Sequence, residues 1–303
     1  MSSANPFFSV IIPTYNREHI LPRSVDSVFK QTFNDFELII VDNGSTDKTE
    51  LCLKQHYQDD RLIYHYQDGS GSPASPRNKG ISLAKGEWIC FLDSDDEWLE
   101  SKLGDVYQAI QNEYLDVICH NENILFEGDS GYKGIAKCGP ASKHMYKDML
   151  IFGNRLSTSS TSVRTNFLRD NDLIFNESDD IAIVEDYDLW LNLAKLEAKY
   201  KFLSKPLAIC IFSDSNLSAD SELYCRNFQN LLKLHIFTIQ KFSKDKEKLW
   251  QLVKIRCDFC EVRYAEIGIL FKITGAIKIA IQHPISLLTL LIGRVKREVL
   301  VRY

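Results

Sequence analysis

FSVIIPTYNREHILPRSVDSVFKQTFNDFELIIVD, residues 8–42, contains two short apolar runs separated by a segment with helical periodicity. The runs FSVIIP and FELIIVD are rich in β-branched and aromatic residues, which is typical of buried strands. Between them, Leu21, Ser24, Val25 and Val28 recur at helical spacing and predict an amphipathic helix. A strand, a helix and a second strand in this order indicate a right-handed βαβ unit with parallel strands.

The same alternation continues towards residue 103. STDKTELCLKQHY (45–57) and the segment 76–84 have the character of helices, while RLIYHYQ (61–67) and EWICFL (87–92) have the character of strands. Alternating strands and helices at this interval predict an α/β fold with a mainly parallel sheet.

Composition and charge exclude several classes of protein. The 303 residues are 45% hydrophobic and 25% charged, as in ordinary globular proteins, and the net charge of −5 argues against general nucleic-acid binding. The charge is uneven, because residues 268–303 hold six basic residues and one acidic residue, a local charge of +5 that leaves −10 for residues 1–267. A basic tail on an acidic chain points to an anionic surface as one partner.

Polar residues follow three of the predicted strands: PTYNR (13–17), DNGSTD (42–47) and DSDDE (93–97). In parallel sheets, ligands bind at the carboxyl ends of the strands. Neither GxGxxG nor GxxxxGK[ST] follows the first strand, so the phosphate loops of dinucleotide-binding and P-loop proteins are missing. The ligand end of the sheet is therefore predicted to be polar and acidic.

The acidic stretch DSDDE has two interpretations. A diphosphate would be repelled by carboxylates at short range, whereas a divalent cation such as Mn²⁺ or Mg²⁺, held by Asp93 and Asp95, would carry it. Alternatively, a helix from about Glu97 would be capped by Asp95 or Asp96, with these acids at its positive end. Spacing alone favours the cap.

Three segments of the chain are similar, in their order and spacing, to a known family. They are VIIPTYNRE, QTFNDFELIIVDNGSTDKT and ASPRNKGISLAKGEWICFLDSDDEW. They resemble the glycosyltransferase family 2 proteins with a GT-A fold. The resemblance covers residues 8 to about 103. It implies that Asp95 binds the metal and that Asp93 lies nearer the ribose or sugar and shares the metal site. Where family members often have a second aspartate, this chain has Asn43. The positions implied to bind the donor are Pro13, Thr14, Tyr15, Asn16, Arg17, Asp42, Asn43, Arg77, Asn78, Asp93 and Ser94.

A transferase also needs a group that accepts the proton of the acceptor hydroxyl. In IAIVEDYDLWLNLAKLEAKY (181–200), Asp186 shares a helical face with Leu189, Trp190 and Leu193. Acidic residues in a first helical turn are also favoured by the helix dipole, and from spacing alone this structural interpretation is preferred. The segment nevertheless resembles the Glu-Asp motif of the family, which implies that Asp186 is the general base and that Glu185 orients the acceptor or the base.

Between these motifs, LSTSSTSVRTNF (156–167) predicts a strand with small hydroxylated residues. The resemblance implies that residues 159–162 line the acceptor cleft, and a plain edge strand is the alternative. From about residue 218 the pattern becomes purely helical, so we predict a catalytic domain over 1–217 and a helical region over 218–303.

The carboxyl-terminal segment 268–303 is too interrupted to span a bilayer. Its mixture of apolar and basic residues predicts either a helix on an anionic membrane surface or an appendage packed on the catalytic domain or on a second copy. The amino terminus lacks the features of a signal peptide, which predicts a cytoplasmic protein. The first interpretation of the carboxyl-terminal segment would place this protein at the inner face of the cytoplasmic membrane.

These observations together predict an inverting, metal-dependent glycosyltransferase. Its donor is a nucleotide-diphosphate sugar, with a UDP-sugar as first choice, and its acceptor is a glycan, lipid-linked by analogy with bacterial family members that build surface polysaccharides. A sugar nucleotidyltransferase and a non-catalytic sugar-nucleotide-binding protein are the alternatives. The sequence leaves open whether the chain forms a homo-oligomer.

Overall fold

The computed structural model describes residues 5–213, 221–239 and 246–264, together with residues 276, 279, 280 and 288. The strands are β1 (Phe8–Thr14), β2 (Phe36–Asn43), β3 (Leu62–Gln67), β4 (Trp88–Phe91), β5 (Glu97–Trp98), β6 (Val117–Phe126), β7 (Gly134–Ala136), β8 (Thr161–Arg164) and β9 (Tyr200–Phe212). The helices are α1 (Leu21–Phe29), α2 (Thr49–His56), α3 (Ala74–Leu83), α4 (Lys102–Gln111), α5 (Met145–Phe152), α6 (Thr165–Asp170), α7 (Glu185–Lys195), α8 (Ser221–Lys233) and α9 (Lys246–Tyr264).

The chain divides into two compact units. The first contains residues 1–141, 155–175 and 196–213, and the second contains residues 142–154, 176–195 and 214–303. The chain therefore passes between the units several times. The division into 1–217 and 218–303 that the sequence suggested stays a prediction.

In the first unit, all the strands form one mixed sheet. Its order is β3-β2-β1-β4-β8-β6-β9-β5, and β7 pairs with β6. Strands β1 to β4 are parallel to one another, whereas β8 runs antiparallel to both β4 and β6. The predicted α/β class is confirmed, and the parallel half of the sheet is the half that the sequence pattern indicated.

The helices cover the parallel strands as the periodicity predicted. The predicted face of α1, including Leu21, Val25 and Val28, is buried against the alternate residues of β1. On α3, a methyl group added at Gly80 would lie 2.4 Å from the side chain of Ile11, so only glycine permits this close approach. This packing fixes the helix that carries Arg77.

The helix predicted from about Glu97 begins later. Residues 97 and 98 form the short strand β5, which pairs antiparallel with β9, and α4 starts at Lys102. The indole nitrogen of Trp98 donates to the carbonyl of Ser159 at 2.7 Å, while the backbone nitrogen of Leu99 donates to the carbonyl of Leu207 at 2.9 Å. These long-range contacts satisfy the indole nitrogen of Trp98 and the backbone nitrogen of Leu99 outside a helix.

The second unit is helical where it is described. It holds α5, α7, α8 and α9, a short 3-10 helix at Asp179–Ile181 and a π-helical segment at Leu234–Ile239. Asn227 of α8 donates to the carbonyls of Asp179 and Ala182 at 3.0 and 2.9 Å. Arg256 of α9 donates to the carbonyl of Leu150 at 2.6 Å, so the carboxyl-terminal helices hold the segments that precede them in the chain.

Within the described residues, no helix is both long and apolar enough to cross a membrane. The predicted surface helix at 268–303 lies outside the described residues apart from four single positions. Its membrane contact stays a prediction.

Candidate functional site

The turn after β1 is joined to the turn after β2 by Asn16. Its backbone takes a positive φ of 50°, its side-chain oxygen accepts from the backbone nitrogen of Thr46 at 2.8 Å, and its own backbone nitrogen donates to the hydroxyl of Ser45 at 2.8 Å. A short polar side chain suits this backbone conformation. Pro13 and Thr14 are buried in β1, whereas Tyr15 beside them is 56% exposed.

Asp42 is a fully buried carboxylate at the end of β2. Its two oxygens accept from the backbone nitrogen of Ser45 at 2.8 Å and from the hydroxyl of Tyr64 at 2.7 Å. Burial, together with the hydrogen bond to Asp42 and its negative charge, raises the pKa of Tyr64. The hydroxyl therefore keeps its proton, and Asp42 stays in one orientation.

Asn43 holds the glycine-rich loop 67–73. Its side-chain oxygen accepts from the Gln67 side chain at 3.0 Å and from the backbone and hydroxyl of Ser70 at 3.2 and 3.1 Å. Its side-chain nitrogen donates to the carbonyl of Ser72 at 3.2 Å. An aspartate at this position could not donate to the Ser72 carbonyl, so the amide of Asn43 makes a hydrogen bond to the loop that an aspartate could not make.

The loop leads into α3, where Arg77 and Asn78 have different partners. The buried guanidinium of Arg77 binds Asp93 at 2.6 Å and lies over the ring of Phe175. The Asn78 amide exchanges two hydrogen bonds of 2.8 Å with the backbone of Phe175. Arg77 thus lies at the acidic turn, whereas Asn78 anchors the segment before residue 176.

The acidic turn follows β4. Asp95 lies 3.8 Å from the guanidinium of Arg17, and its carbonyl accepts from Arg23 at 2.7 Å. Burial and the adjacent charge of Asp93 raise the pKa of Asp95, with Arg17 acting in the opposite direction. Ser94 is buried, and its carbonyl accepts from the hydroxyl of Ser24 at 2.8 Å. The carboxylates of Asp93 and Asp95 and three arginine side chains therefore meet at one turn.

Asp96 is neither a surface acid nor a helix cap. It is only 6% exposed; one oxygen accepts from the hydroxyl of Ser159 at 2.5 Å and the other from the backbone nitrogen of Ile211 at 2.9 Å. Burial, followed by the charges of Asp93 and Asp95, raises the pKa of Asp96 well above its usual value. The cap interpretation is wrong for this residue, which instead ties the turn to β9.

The hydroxylated residues 159–162 do not line an open cleft and do not form an edge strand. All four side chains are buried, because β8 lies between β4 and β6. The hydroxyl of Ser159 accepts from the backbone nitrogen of Asp93 at 3.0 Å in addition to its bond to Asp96. Small hydroxyl groups here satisfy buried polar atoms behind the acidic turn.

The predicted base lies in the second unit, at the start of α7. Glu185 is the first residue of the helix and is buried, whereas Asp186 is partly exposed. One carboxylate oxygen of Asp186 accepts from the backbone nitrogen of Tyr187 at 2.6 Å. The roles of both acids stay predictions.

Asp188 in the same turn belongs to a buried network that the sequence did not reveal. Its carboxylate lies 2.8 Å from the imidazole of His235, whose other ring nitrogen lies 3.0 Å from the hydroxyl of Tyr146. Asn192 donates to the second carboxylate oxygen of Asp188 at 3.2 Å. Because His235 is 47 residues from Asp188, no local pattern could have paired them.

The site thus combines a sheet whose parallel strands end in polar turns with an acidic turn that arginine side chains contact. The family model described as glycosyl transferase family 2 matches residues 9–170, which is more than half of the chain. The chain belongs to this family.

Similar proteins include bacterial glycosyltransferases. GlyG of Streptococcus pneumoniae is 38% identical over 41% of this chain and 42% of its own length. The GalNAc(5)-diNAcBac-PP-undecaprenol beta-1,3-glucosyltransferase of Campylobacter jejuni is 30% identical over 64% of this chain and 62% of its own length. The match thus spans less than two thirds of both relatives. AmsB of Erwinia amylovora, an amylovoran biosynthesis glycosyltransferase, is 30% identical over 66% of this chain and 68% of its own length.

Solved structures confirm the predicted GT-A fold. Residues 1–349 of TarS from S. aureus in complex with UDP share 25% identity, with a TM-score of 0.55 over 86% of this chain and 81% of that one. The mannosyltransferase PcManGT of Pyrobaculum calidifontis, solved with GDP-Man and Mn²⁺, gives a TM-score of 0.57 over 96% of this chain and 85% of that one, at 13% identity. At that identity the likeness concerns the fold alone.

Proposed function

We propose that this protein transfers a sugar from a nucleotide-diphosphate donor to a hydroxyl group of a glycan acceptor, with inversion at the anomeric carbon. The acidic turn carries the proposal: Asp93 and Asp95 lie together at the carboxyl end of β4, and Arg77 binds Asp93 at 2.6 Å. Strand β2, which β1 separates from β4, carries Asp42 near its end, and the fixed carboxylate of Asp42 accepts hydrogen bonds, as the N–H group of a nucleobase requires. A UDP-sugar is the first choice, since TarS of S. aureus binds UDP.

The chemistry of the turn suits a hard divalent cation. Carboxylate oxygens of Asp95 and Asp93 would hold Mn²⁺ or Mg²⁺. Burial and the charge of Asp93 raise the pKa of Asp95, and a bound cation would offset this repulsion between the two carboxylates. Among the described residues, no three acidic, histidine or cysteine side chains are grouped to hold a metal, so donor phosphate and water would complete the coordination. Such a cation neutralises charge on the leaving diphosphate.

The remaining chemistry needs one base. The acceptor oxygen forms a bond to the anomeric carbon while the bond from that carbon to the diphosphate oxygen breaks, and the nucleoside diphosphate leaves with the bonding electrons. The carboxylate of Asp186 takes the acceptor proton, and Glu185 orients the acceptor or the base. Partial exposure of Asp186 supports this role, since a base must be reachable by its substrate.

The acceptor that we propose is a lipid-linked glycan in surface polysaccharide synthesis at the cytoplasmic face of the membrane. Support comes from the relatives, one of which is named for an undecaprenol-diphosphate oligosaccharide and another for amylovoran biosynthesis. Contact of residues 268–303 with anionic lipid would bring the enzyme to such an acceptor, and this contact is part of the proposal.

The test is incubation of the purified chain with Mn²⁺ and a panel of sugar nucleotides, with and without a lipid-diphosphate sugar. Release of nucleoside diphosphate together with an extended acceptor is expected, and Asp95→Asn and Asp186→Asn should each lower transfer at least about a hundredfold. Glu50→Gln removes an exposed acid that pairs with Lys54 in α2 and serves as the control.

Two results would contradict parts of the proposal. Synthesis of a sugar nucleotide from a sugar phosphate and a nucleoside triphosphate would instead indicate a nucleotidyltransferase. Full transfer by Asp186→Asn would remove that residue as the base, while binding without turnover would indicate a sugar-nucleotide-binding protein.

A further inference from the structure

Two exposed aromatic rings lie side by side where β6 and β9 end. Phe126 is 47% exposed and Phe212 is 41% exposed. They are register partners in the parallel pair of strands, and their ring centroids are 5.6 Å apart with an angle of 33° between the planes. The backbone nitrogen of Glu127 donates to the carbonyl of Phe212 at 2.9 Å, so the backbone on which the pair stands is fixed.

The aromatic pair lies next to the point where the acidic turn reaches β9. Strand β8 runs antiparallel to β4 and to β6, so β4 and β6 run in the same direction, and β9 is parallel to β6. The acidic turn leaves the carboxyl end of β4, and its Asp96 accepts from the backbone nitrogen of Ile211 on β9 at 2.9 Å. Phe212 is the residue that follows Ile211, and Phe126 is its register partner on β6.

The pair lies on the same face of the sheet as Cys210 and Glu122. Side chains at alternate positions of a strand share a face, which places Phe212 with Cys210 and Phe126 with Glu122. Burial and then the charges of Asp96, Glu122 and the acids at 93 and 95 raise the pKa of the Cys210 thiol, which agrees with acids on this side of the sheet. Phe212 is the next residue on that face.

The distance from the turn suits a substrate and not a macromolecular interface. The backbone nitrogen of Ile211 donates to Asp96 at 2.9 Å, and Phe212 is the next residue, about 3.4 Å further along the strand, so a sugar ring bound beside the turn would reach the pair. Two rings alone are far smaller than the area that a stable protein dimer buries. Aromatic faces carry partial negative charge and attract the polarised C–H groups on the flat face of a pyranose.

From this geometry we infer that Phe126 and Phe212 form a stacking platform for a pyranose ring of the acceptor. The inference rests on the proposed glycosyltransferase function and adds a chemical class to its acceptor: a sugar that presents an unsubstituted C–H face next to the hydroxyl that reacts. Donor binding does not involve the platform.

The test compares the full chain with Phe126→Ala, Phe212→Ala and Phe212→Trp. The acceptor probes are the phenyl β-glycosides of glucose, galactose, N-acetylglucosamine and N-acetylgalactosamine, with a UDP-sugar and Mn²⁺. Leu51→Ala, which removes a side chain that is 49% exposed on α2, is the control. Each alanine variant should raise the acceptor KM about tenfold, whereas Phe212→Trp should stay within about twofold. The donor KM and the hydrolysis of donor without acceptor should not change.

Saturation-transfer NMR with the same glycosides measures acceptor binding without catalysis. Loss of the glycoside signal in Phe212→Ala but not in Leu51→Ala supports the platform even if no transfer is found, in which case only the proposed function fails. An unchanged acceptor KM and unchanged NMR signal in both alanine variants overturn the platform. The platform is also overturned if the alanine variants lose liposome binding or self-association while acceptor binding stays intact, since the rings would then contact a membrane or a second copy.

Discussion

Gly44→Ala should destabilise the loop that connects the end of β2 with α3. Gly44 has a φ of +87°, and a methyl group built there would lie 2.6 Å from the backbone nitrogen of Gly69 and 2.8 Å from its Cα atom. These are backbone atoms that cannot rotate away. Residues 69–72 would have to move, although Asn43 holds them through Ser70 and Ser72.

The expected magnitude has two parts. A side chain at a positive φ costs about 1–2 kcal/mol. Moving the loop breaks the hydrogen bonds of Asn43 to the backbone of Ser70 and to the carbonyl of Ser72, which contribute about 1 kcal/mol each. The free energy of unfolding should therefore fall by about 3–4 kcal/mol.

Gly71→Ala is the matched control. Its φ of +72° is also positive, but a methyl group there meets nothing within 4 Å. This variant should lose only the conformational part, about 1–2 kcal/mol. The difference between the two variants measures the contact between Gly44 and Gly69.

The free energy of unfolding is measured by urea denaturation, and amide exchange is followed in peptides that cover residues 67–73. Exchange should become faster in Gly44→Ala before any donor is added, and the donor KM should rise because the loop leads to Arg77, which binds Asp93. Equal losses of stability in the two variants, with unchanged exchange in the loop, would refute the reasoning.

Three further predictions concern buried polar groups. Because folding raises the pKa of Asp96, the free energy of unfolding of the wild type should fall as pH rises from about 4 through the folded-state pKa. Urea denaturation between about pH 4 and 8 should show no such decline for Asp96→Asn, and an equal decline in this variant would exclude Asp96 as its source. Burial lowers the pKa of Lys102, so Lys102→Met should raise the free energy of unfolding at pH 7 by about 1 kcal/mol. This gain in stability over the wild type should shrink as pH rises towards about 10.4, and a variant less stable than the wild type at pH 7 would contradict the prediction. His235→Phe should cost about 3 kcal/mol because it leaves the Asp188 carboxylate buried without the imidazole, and Asp188→Leu in the same chain should restore part of the loss.

Local pattern was sufficient for the parallel half of the fold. The apolar runs and the helical spacing over residues 8–92 correspond to β1, α1, β2, α2, β3, α3 and β4 in the predicted order. The acidic turn could also be located, since Asp93 and Asp95 follow a buried strand directly. These features depend on residues close together in the chain, where periodicity is informative.

The predictions from sequence were wrong where segments far apart in the chain determine the surroundings of a side chain. Asp96 looked like a helix cap because its chain neighbours suit a helix, yet its partners Ser159 and Ile211 are 63 and 115 residues away. Residues 159–162 looked like a cleft or an edge, but β8 is inserted between β4 and β6. Neither outcome follows from local composition.

The sequence by itself determined the α/β class, the succession of parallel strands and helices along the chain and the position of the acidic turn, because side-chain periodicity and strand-end chemistry are local properties. Only the tertiary structure decided which acids are buried, that the amide of Asn43 holds the loop 67–73, that His235 meets Asp188, and that Phe126 and Phe212 lie beside each other. Each of these depends on pairing between segments far apart in the chain, and a hydrogen bond or ring contact exists only once the sheet brings its partners together.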